Sequence, residues 1–424
     1  MNVSRPWRPW PSLAGLPRNA RNSIRMEPLW AVFGTVVTYY APLYMSAVGL
    51  SSTQIGWLGS ITLACSLLFQ TLAAPITNRV GRKRTTLIGD LISWTLPMFV
   101  WAVSRSFGGF VLAAVLSAVG RIVMVSWSLL VIEDVEESQR PRVFGILNLI
   151  VTGCGLLTPL IGLLMIHSGV APVMRAYYAL GGVGMTVMFL IRNAVTQETR
   201  SGQAAMHEHR GLNAWQSVQQ TLKHVAGLRR HPGLASVMVF YVLSFFIEQM
   251  NVFQILFLGG ALRFGAGALS LVPVAGALVT MLMYAAVLRR LAGTPAERTL
   301  VWARLLGLLG AALLLLIPAA NVSVLLVTVS VLAAATFLSQ TYSGTVLFGR
   351  LPAHGTADLY SAVQTLCLLC SVPAGALAGA IYSAQPRALF VLIAALNVLL
   401  LGLAVWLARG RGRPYSLDVS PDIN

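Results

Sequence analysis

Charged side chains inside long apolar stretches are the residues of this sequence best suited to chemistry. Of 13 acidic residues, only Asp90 and Glu248 fall well inside such stretches, and Arg121 and Arg304 are the basic residues that do. Charges within a bilayer are costly, so they mark solute-binding or proton-transfer sites. At 1.5 Å per residue, Arg121 and Glu248 lie roughly 16 and 20 Å from the inner ends of their helices, and Asp90 only roughly 6 Å. Arg121 and Glu248 are therefore the first candidates.

Both candidates belong to polar stripes, because residues three or four apart share one face of a helix. The stripes comprise Ser117, Arg121 and Ser128 in one segment, and Tyr241, Ser244, Glu248 and Asn251 in another. Two such stripes facing one cavity would bind an anionic or polar solute. We hypothesise that protonation of Glu248 releases Arg121 to bind the solute, or the reverse. The alternative is a static buried pair, or two charges satisfied separately by helix carbonyls.

The composition indicates the elements that must position these residues. The chain has 424 residues, of which 56% are hydrophobic and 10% charged, whereas soluble proteins carry about 25% charged residues. Twelve apolar segments are long enough to cross a bilayer, and they predict an all-α integral membrane protein with two pseudo-symmetric six-helix halves. The segments are residues 29–48, 55–76, 86–103, 108–132, 144–166, 173–191, 235–258, 268–288, 300–317, 322–348, 360–382 and 389–407.

Basic residues set the predicted orientation. With the N-terminus inside, 24 of the 30 Lys and Arg residues fall in inner loops and tails and four in outer loops. This bias predicts a multi-pass protein of the cell membrane with both termini in the cytoplasm. The formal net charge of +17 does not indicate nucleic acid, because the cations lie between apolar segments and not along one soluble face.

The predicted division is a cytoplasmic tail (1–26), an N-terminal half (27–191), a cytoplasmic linker (192–234), a C-terminal half (235–408) and a cytoplasmic tail (409–424). The linker is expected to contain an amphipathic helix that lies on the inner membrane surface, because its apolar residues recur at helical spacing: Leu212, Trp215, Val218, Leu222 and Val225. We interpret His207 and His209 as solvated, and Cys367 and Cys370 as packing residues. No metal or other cofactor is predicted.

A short basic turn follows the second segment, and it carries a family resemblance. Residues 74–84 read Ala-Pro-Ile-Thr-Asn-Arg-Val-Gly-Arg-Lys-Arg. This turn resembles the Gly-x-x-x-Asp-Arg-x-Gly-Arg-Lys/Arg loop of the major facilitator superfamily of secondary transporters, with Ala74 and Asn78 as departures. The matching positions are Arg79, Gly81, Arg82 and Lys83. With the repeated halves, the resemblance covers about residues 27–409.

The resemblance implies roles for further residues. Segments 1, 4, 7 and 10 of this superfamily line the central cavity, so Tyr39, Tyr40, Gln340 and Tyr342 are expected to complete the site. The resemblance also implies a latch in which Arg82 meets Glu133 or Asp134. Asn78 makes that latch weaker toward segment 11, and Asp90 is grouped with the basic turn because of its depth.

Small residues and proline interrupt segments 5 and 11 in corresponding places. They are Gly155, Pro159 and Gly162, and Pro373, Gly375 and Gly379. Such residues allow helices to approach closely and are typical of transporter repeats. Pro159 and Gly162 also match part of a segment 5 pattern found in antiporters of the superfamily, which favours export.

The sequence thus predicts a secondary transporter that moves a small organic solute by alternating access with proton coupling. It is expected to act as a monomer in contact with membrane lipid, with the solute and protons as its partners. Two alternatives remain: a translocase of lipids or amphiphiles, and a receptor that binds a ligand without transport. No catalytic constellation converges within the segments, so an enzyme is not expected.

Overall fold

A computed structural model describes residues 13, 15–208, 219, 223, 232–291, 294–318, 321–348, 350 and 356–409. The described residues form helices and no strand. Eleven helices in this part of the chain are long and apolar enough to cross a membrane, so the described part is all-α and the protein is a multi-pass membrane protein. These eleven helices are named α2 to α12, and they follow a first long helix named α1. The bounds are α1 Arg18–Ala47, α2 Ser52–Val80, α3 Arg82–Val103, α4 Phe107–Ile132, α5 Arg142–Ser168, α6 Val170–Val195, α7 Ala235–Ala261, α8 Ala266–Ala285, α9 Ala296–Leu316, α10 Val322–Leu347, α11 Ala362–Ala384 and α12 Pro386–Arg409.

Helix α1 begins before the apolar segment that the sequence indicates. Residues 18–26, expected to be tail, form its first turns. Asn19 and Gln197 exchange two hydrogen bonds of 2.9 Å, and Asn22 donates one of 2.8 Å to the carbonyl of Val195. Ala20 and Ile24 on the apolar side of these turns, with Leu16 just before the helix, pack in a cluster with residues of α4 and α5. Packing and side-chain hydrogen bonds thus position a segment that the sequence predicts as tail, because residues 1–26 are rich in Arg, Pro and Trp and lack an apolar core.

The contacts between helices divide the chain into two compact units. The first comprises Met1–Leu50 and Ile61–Val218, and the second comprises Ser51–Ser60 and Gln219–Asn424. A short linker helix, Arg200–Glu208, follows α6 in the first unit. The amphipathic helix expected over residues 212–225 lies outside the described residues, apart from two isolated positions.

In the first unit, α1 packs against α5 and α6, and α3 packs against α4 and α6. Aromatic side chains fill the space between these helices. The Tyr44 hydroxyl donates a 2.7 Å hydrogen bond to the carbonyl of Trp101, and the Tyr44 ring stacks on Trp101 with centroids 6.3 Å apart. Gly181 and Gly184 of α6 lie against the ring of Phe33, where an added Cβ would come within 3.2 Å of it. Small residues therefore let α1 and α6 approach closely.

In the second unit, α9 packs against α10 and α12, and α7 packs against α11 and α12. Phe257 and Phe390 join α7 to α12 with ring centroids 4.4 Å apart. This packing leaves space between α7, α9, α10 and α12, which contains the polar residues described next.

Candidate functional site

A cavity of about 480 Å³ lies inside the second unit, between α7, α9, α10 and α12 with one residue from α11. This volume is within the usual range for pockets that bind small molecules. Its wall is mainly apolar, with polar groups from every one of these helices. The polar lining residues are Tyr241, Ser244, Glu248, Asn251, Gln254, Arg304, Thr336, Ser339, Gln340, Ser343, Gln364 and Asn397.

Arg304 is the buried cation of this cavity, with a relative exposure of 9%. Its Nη2 donates hydrogen bonds to the hydroxyls of Ser244 (2.8 Å) and Ser339 (2.5 Å), and its guanidinium carbon lies 4.9 Å from the ring centroid of Phe240. The Nε atom is buried without a hydrogen-bond partner among the described residues. The guanidinium is thus held by neutral groups from α7 and α10.

Glu248 lies on α7 just before that helix changes its hydrogen-bonding pattern. The α-helix ends at Met250, a 3₁₀ turn covers Asn251–Phe253, and a π turn covers Phe257–Ala261. Such irregular turns within a membrane helix often occur at functional sites, and they are tolerated where the backbone lines a cavity. Glu248 is an exposed side chain on the cavity wall, so its carboxylate is accessible.

The structure brings five of the sequence-predicted residues to this cavity: Tyr241, Ser244, Glu248, Asn251 and Gln340. Tyr342 packs instead against a buried cluster that contains Ala303, Phe337 and Leu338. Arg304 has no role predicted from the sequence, although its position is a signal, since it is one of two cations within apolar segments. The buried Glu27 of α1 (8% exposed) was also missed, because it precedes the apolar segment.

Three other predicted residues belong to the first unit, whereas Glu248 belongs to the second. Arg121 is partly buried, and its Nη1 donates a weak hydrogen bond of 3.9 Å to the sulfur of Met124. The rings of Tyr39 and Tyr40 form an edge-to-face pair with centroids 4.8 Å apart. The Tyr40 hydroxyl is buried without a partner among the described residues. Pairing of Arg121 with Glu248 stays a hypothesis.

Residues of the basic turn form a partly buried polar cluster with three residues from elsewhere in the first unit. This cluster, here named the turn cluster, comprises Gly81, Arg82, Lys83, Glu133, Glu198 and Thr199. The Arg82 side chain donates hydrogen bonds to Glu133 from Nε (3.2 Å) and Nη2 (3.0 Å). Glu198, which precedes the linker helix, accepts hydrogen bonds from the backbone amides of Arg82 (3.0 Å) and Lys83 (2.9 Å). These amides begin α3 and have no partner within the helix, so the Glu198 carboxylate caps it.

The latch residues expected from the sequence therefore divide into two groups. Gly81, Arg82, Lys83 and Glu133 belong to the turn cluster, and Gly81 has a φ of 95°, which glycine adopts without strain. Arg79 and Asp134 are exposed, and Asn78 is partly buried. Of the two acids offered as partners of Arg82, the structure pairs it with Glu133. A role in gating stays a prediction.

Asp90 lies elsewhere than the sequence suggested. Its carboxylate forms an ion pair with Arg192 of α6, and the two residues are 3% and 7% exposed. The sequence predicts that Asp90 belongs with the basic turn and that Arg192 belongs to the linker. The structure differs because α6 extends to Val195, which brings Arg192 into the helical packing, where it neutralises a buried carboxylate.

The predicted small-residue interfaces differ in their packing. Gly375 and Gly379 of α11 are buried against Gly56 and Ser60 at the start of α2, where an added Cβ would meet backbone atoms. Gly155 and Gly162 of α5 are buried, and a Cβ on Gly155 would come within 3.9 Å of Thr35. Pro159 follows a 3₁₀ turn at Gly155–Leu157 that interrupts α5. Pro373 lies within α11 and is exposed.

Comparison with known proteins places this geometry in a family. Curated protein sequences include no match to the chain. Solved structures share its fold at low identity: a POT family transporter in complex with 5-aminolevulinic acid (13% identity, TM-score 0.71, 94% of this chain and 97% of that chain) and the nucleoside transporter NupG (12%, 0.69, 92% and 98%). A peptide transporter POT in complex with sulfate is similar as well, with 14% identity and a TM-score of 0.69 over 94% of this chain and 96% of that chain.

The Major Facilitator Superfamily model matches residues 29–375. The chain therefore belongs to the major facilitator superfamily, and it is a membrane transporter rather than an enzyme.

Proposed function

We propose that this protein is a secondary active transporter that moves a small organic solute by alternating access. The observation that carries the proposal is the cavity of about 480 Å³ among membrane helices, with Glu248 and Arg304 on its wall. Charges within a membrane mark solute or proton pathways. A cavity with charged and polar groups on its wall gives a hydrophilic solute a site that the bilayer itself does not offer.

The proposed topology has twelve spans in two halves of six. The protein lies in the cell membrane with both termini in the cytoplasm, and it works as a monomer. Helix α1 would be a further span beside the eleven, which makes twelve. Its 30 residues extend about 45 Å at 1.5 Å per residue, which is long enough to cross a bilayer. The bias of 24 inner against four outer basic residues supports the orientation. Reporter fusions at each terminus test it directly.

Proton coupling is proposed to act through Glu248. A carboxylate that gains and loses a proton changes the charge of the cavity wall by one unit, so solute affinity would follow its protonation. Following the hypothesis drawn from the sequence, protonation of Glu248 would release Arg121 to bind the solute, or the reverse. The partial match at Pro159 and Gly162 favours export of the solute against an inward flow of protons.

Proteoliposomes with an imposed pH gradient test both parts of this proposal. The wild-type protein is expected to move protons only when a transported solute is present, and Glu248→Gln is expected to abolish that movement. Glu208→Gln is the matched control, since Glu208 is an exposed residue of the linker helix. Full solute-dependent proton movement by Glu248→Gln would refute the coupling role.

The same liposomes discriminate the two rival functions. A lipid translocase would flip a fluorescent phospholipid without a proton gradient, which contradicts solute transport. A receptor would bind a ligand saturably without any flux. Either result would overturn the transporter proposal while leaving the fold assignment intact.

A further inference from the structure

Three arginines are buried in the described part of the chain, and they differ in their partners. Arg82 and Arg192 are 6% and 7% exposed and form ion pairs with Glu133 and Asp90. Arg304 is 9% exposed, but no described carboxylate of its own unit lies within ion-pair distance. A buried charge without a counter-charge is unfavourable, so Arg304 is the position where an anion would gain most.

The neutral partners of Arg304 fix its position and leave donors unused. Both of its hydrogen bonds leave from Nη2, so Nε and Nη1 have no hydrogen-bond partner among the described residues of its unit. The Ser244 hydroxyl donates its proton to the carbonyl of Phe240 at 2.7 Å. The Ser339 hydroxyl accepts from Arg304 and donates to no acceptor in the described part of the chain, so its proton is available to a ligand. The site thus offers guanidinium and hydroxyl donors together.

We propose that Arg304 binds the carboxylate of a small organic anion, with Ser339 as a second donor. This inference rests on the proposed transport function and specifies the substrate class of the same cavity. Guanidinium groups recognise carboxylates through charge-assisted hydrogen bonds. The cavity volume of about 480 Å³ leaves room for an organic body, and its apolar lining would contact that body.

The charges of the wall favour a monocarboxylate over a multiply charged anion. Arg304 is the cationic residue of the cavity lining, and Glu248 is an acidic residue of the same lining. One cation neutralises one carboxylate, whereas a second negative charge would meet the carboxylate of Glu248 with no partner in this lining. Inorganic phosphate is therefore expected to bind more weakly than a monocarboxylate.

Binding to the purified full-length protein in lipid nanodiscs tests the inference without flux. The probes are matched acids and amides (benzoate and benzamide, nicotinate and nicotinamide, lactate and lactamide), with chloride and inorganic phosphate as separate arms. Calorimetry is expected to show saturable binding of at least one carboxylate, with its amide at least tenfold weaker. Arg304→Gln should weaken that binding at least tenfold, and Ser339→Ala severalfold. Arg298→Gln, an exposed position on the same helix, is the control and should change nothing.

The possible outcomes separate this site from the transport function. Equal binding of acid and amide, unchanged affinity in Arg304→Gln, binding of chloride or phosphate alone, or no saturable binding would each overturn the inference. If Arg304→Gln fails to fold, Arg304→Lys and Ser339→Ala supply the same comparison. Carboxylate binding that depends on Arg304 but lacks flux would retain the site and refute transport. Flux of a neutral solute that Arg304→Gln leaves intact would retain the transport function and refute the carboxylate site.

Discussion

Arg82 and Glu133 are joined by two hydrogen bonds to a single carboxylate oxygen, from Nε at 3.2 Å and from Nη2 at 3.0 Å. The side chains are only 7% and 13% exposed. The other oxygen of Glu133 accepts from the hydroxyl of Thr199. One carboxylate therefore joins the start of α3, the end of α4 and the segment that leads into the linker helix.

Removing the Arg82 side chain should destabilise the protein and change its conformational balance. Arg82→Ala leaves the carboxylate of Glu133 enclosed without its cation, which costs about 3 kcal/mol for a buried pair. We expect a lower midpoint of thermal unfolding and altered labelling of single cysteines on the two sides of the membrane. The double variant Arg82→Met with Glu133→Leu should recover most of the stability. Unchanged labelling in Arg82→Ala would argue against a latch.

Glu198 should act as a cap for α3, because it accepts from two amides that begin the helix. Glu198→Ala removes both acceptors and should lower the free energy of unfolding by about 1 kcal/mol, the usual loss for a missing cap. Hydrogen exchange at the amides of Arg82 and Lys83 should become faster. Glu208→Ala, at the exposed end of the linker helix, should leave both amides protected. Equal exchange in the two variants would contradict the cap.

The general fold could be predicted from the sequence because membrane helices have a length and composition that few other elements share. Local boundaries were less predictable. Residues 18–26 are predicted as tail because they belong to a stretch rich in Arg, Pro and Trp without an apolar core, yet Asn22 and Asn19 bind backbone carbonyls at and just beyond the end of α6, and Ala20 packs in a buried cluster. Such tertiary contacts are not encoded in local hydropathy.

The candidate site could be predicted in part from the spacing of polar residues along a helix. Ser244 and Glu248 share a helical face, so periodicity predicted that they would lie together. Arg304 lies on a different helix, and no local pattern indicates that it reaches Ser244 and Ser339. Glu198 was missed because a carboxylate that caps another helix is recognisable only when the two segments are placed in space. Charge within apolar segments was thus informative about location, but not about partners.

Asp90 and Arg192 should depend on each other for stability, because both are buried. Asp90→Asn leaves the guanidinium without its counter-charge, and Arg192→Gln leaves the carboxylate alone. Each single change should lower the free energy of unfolding by about 3 kcal/mol. The combined variant should lose less than the sum, which a double-mutant cycle measures. Additive losses would indicate that the two side chains do not interact in the membrane-embedded protein.

Gly56 is expected to tolerate no side chain, because α2 and α11 approach through glycines at this point. A Cβ on Gly56 would run into the carbonyl of Gly375 and come within 2.9 Å of the Cα of Gly379. Backbone atoms cannot rotate away, so Gly56→Ala must separate the helices, and overpacking of this kind costs about 1 to 3 kcal/mol.

Gly145→Ala is the matched control for this change. Gly145 is an exposed residue of α5, and an added Cβ there would meet nothing within 4 Å. Alanine has the higher helix propensity by about 1 kcal/mol, so this variant should be as stable as the wild type or slightly more stable. Thermal unfolding of both variants in the same detergent measures the difference. A Gly56→Ala protein as stable as Gly145→Ala would show that the two helices do not pack this closely.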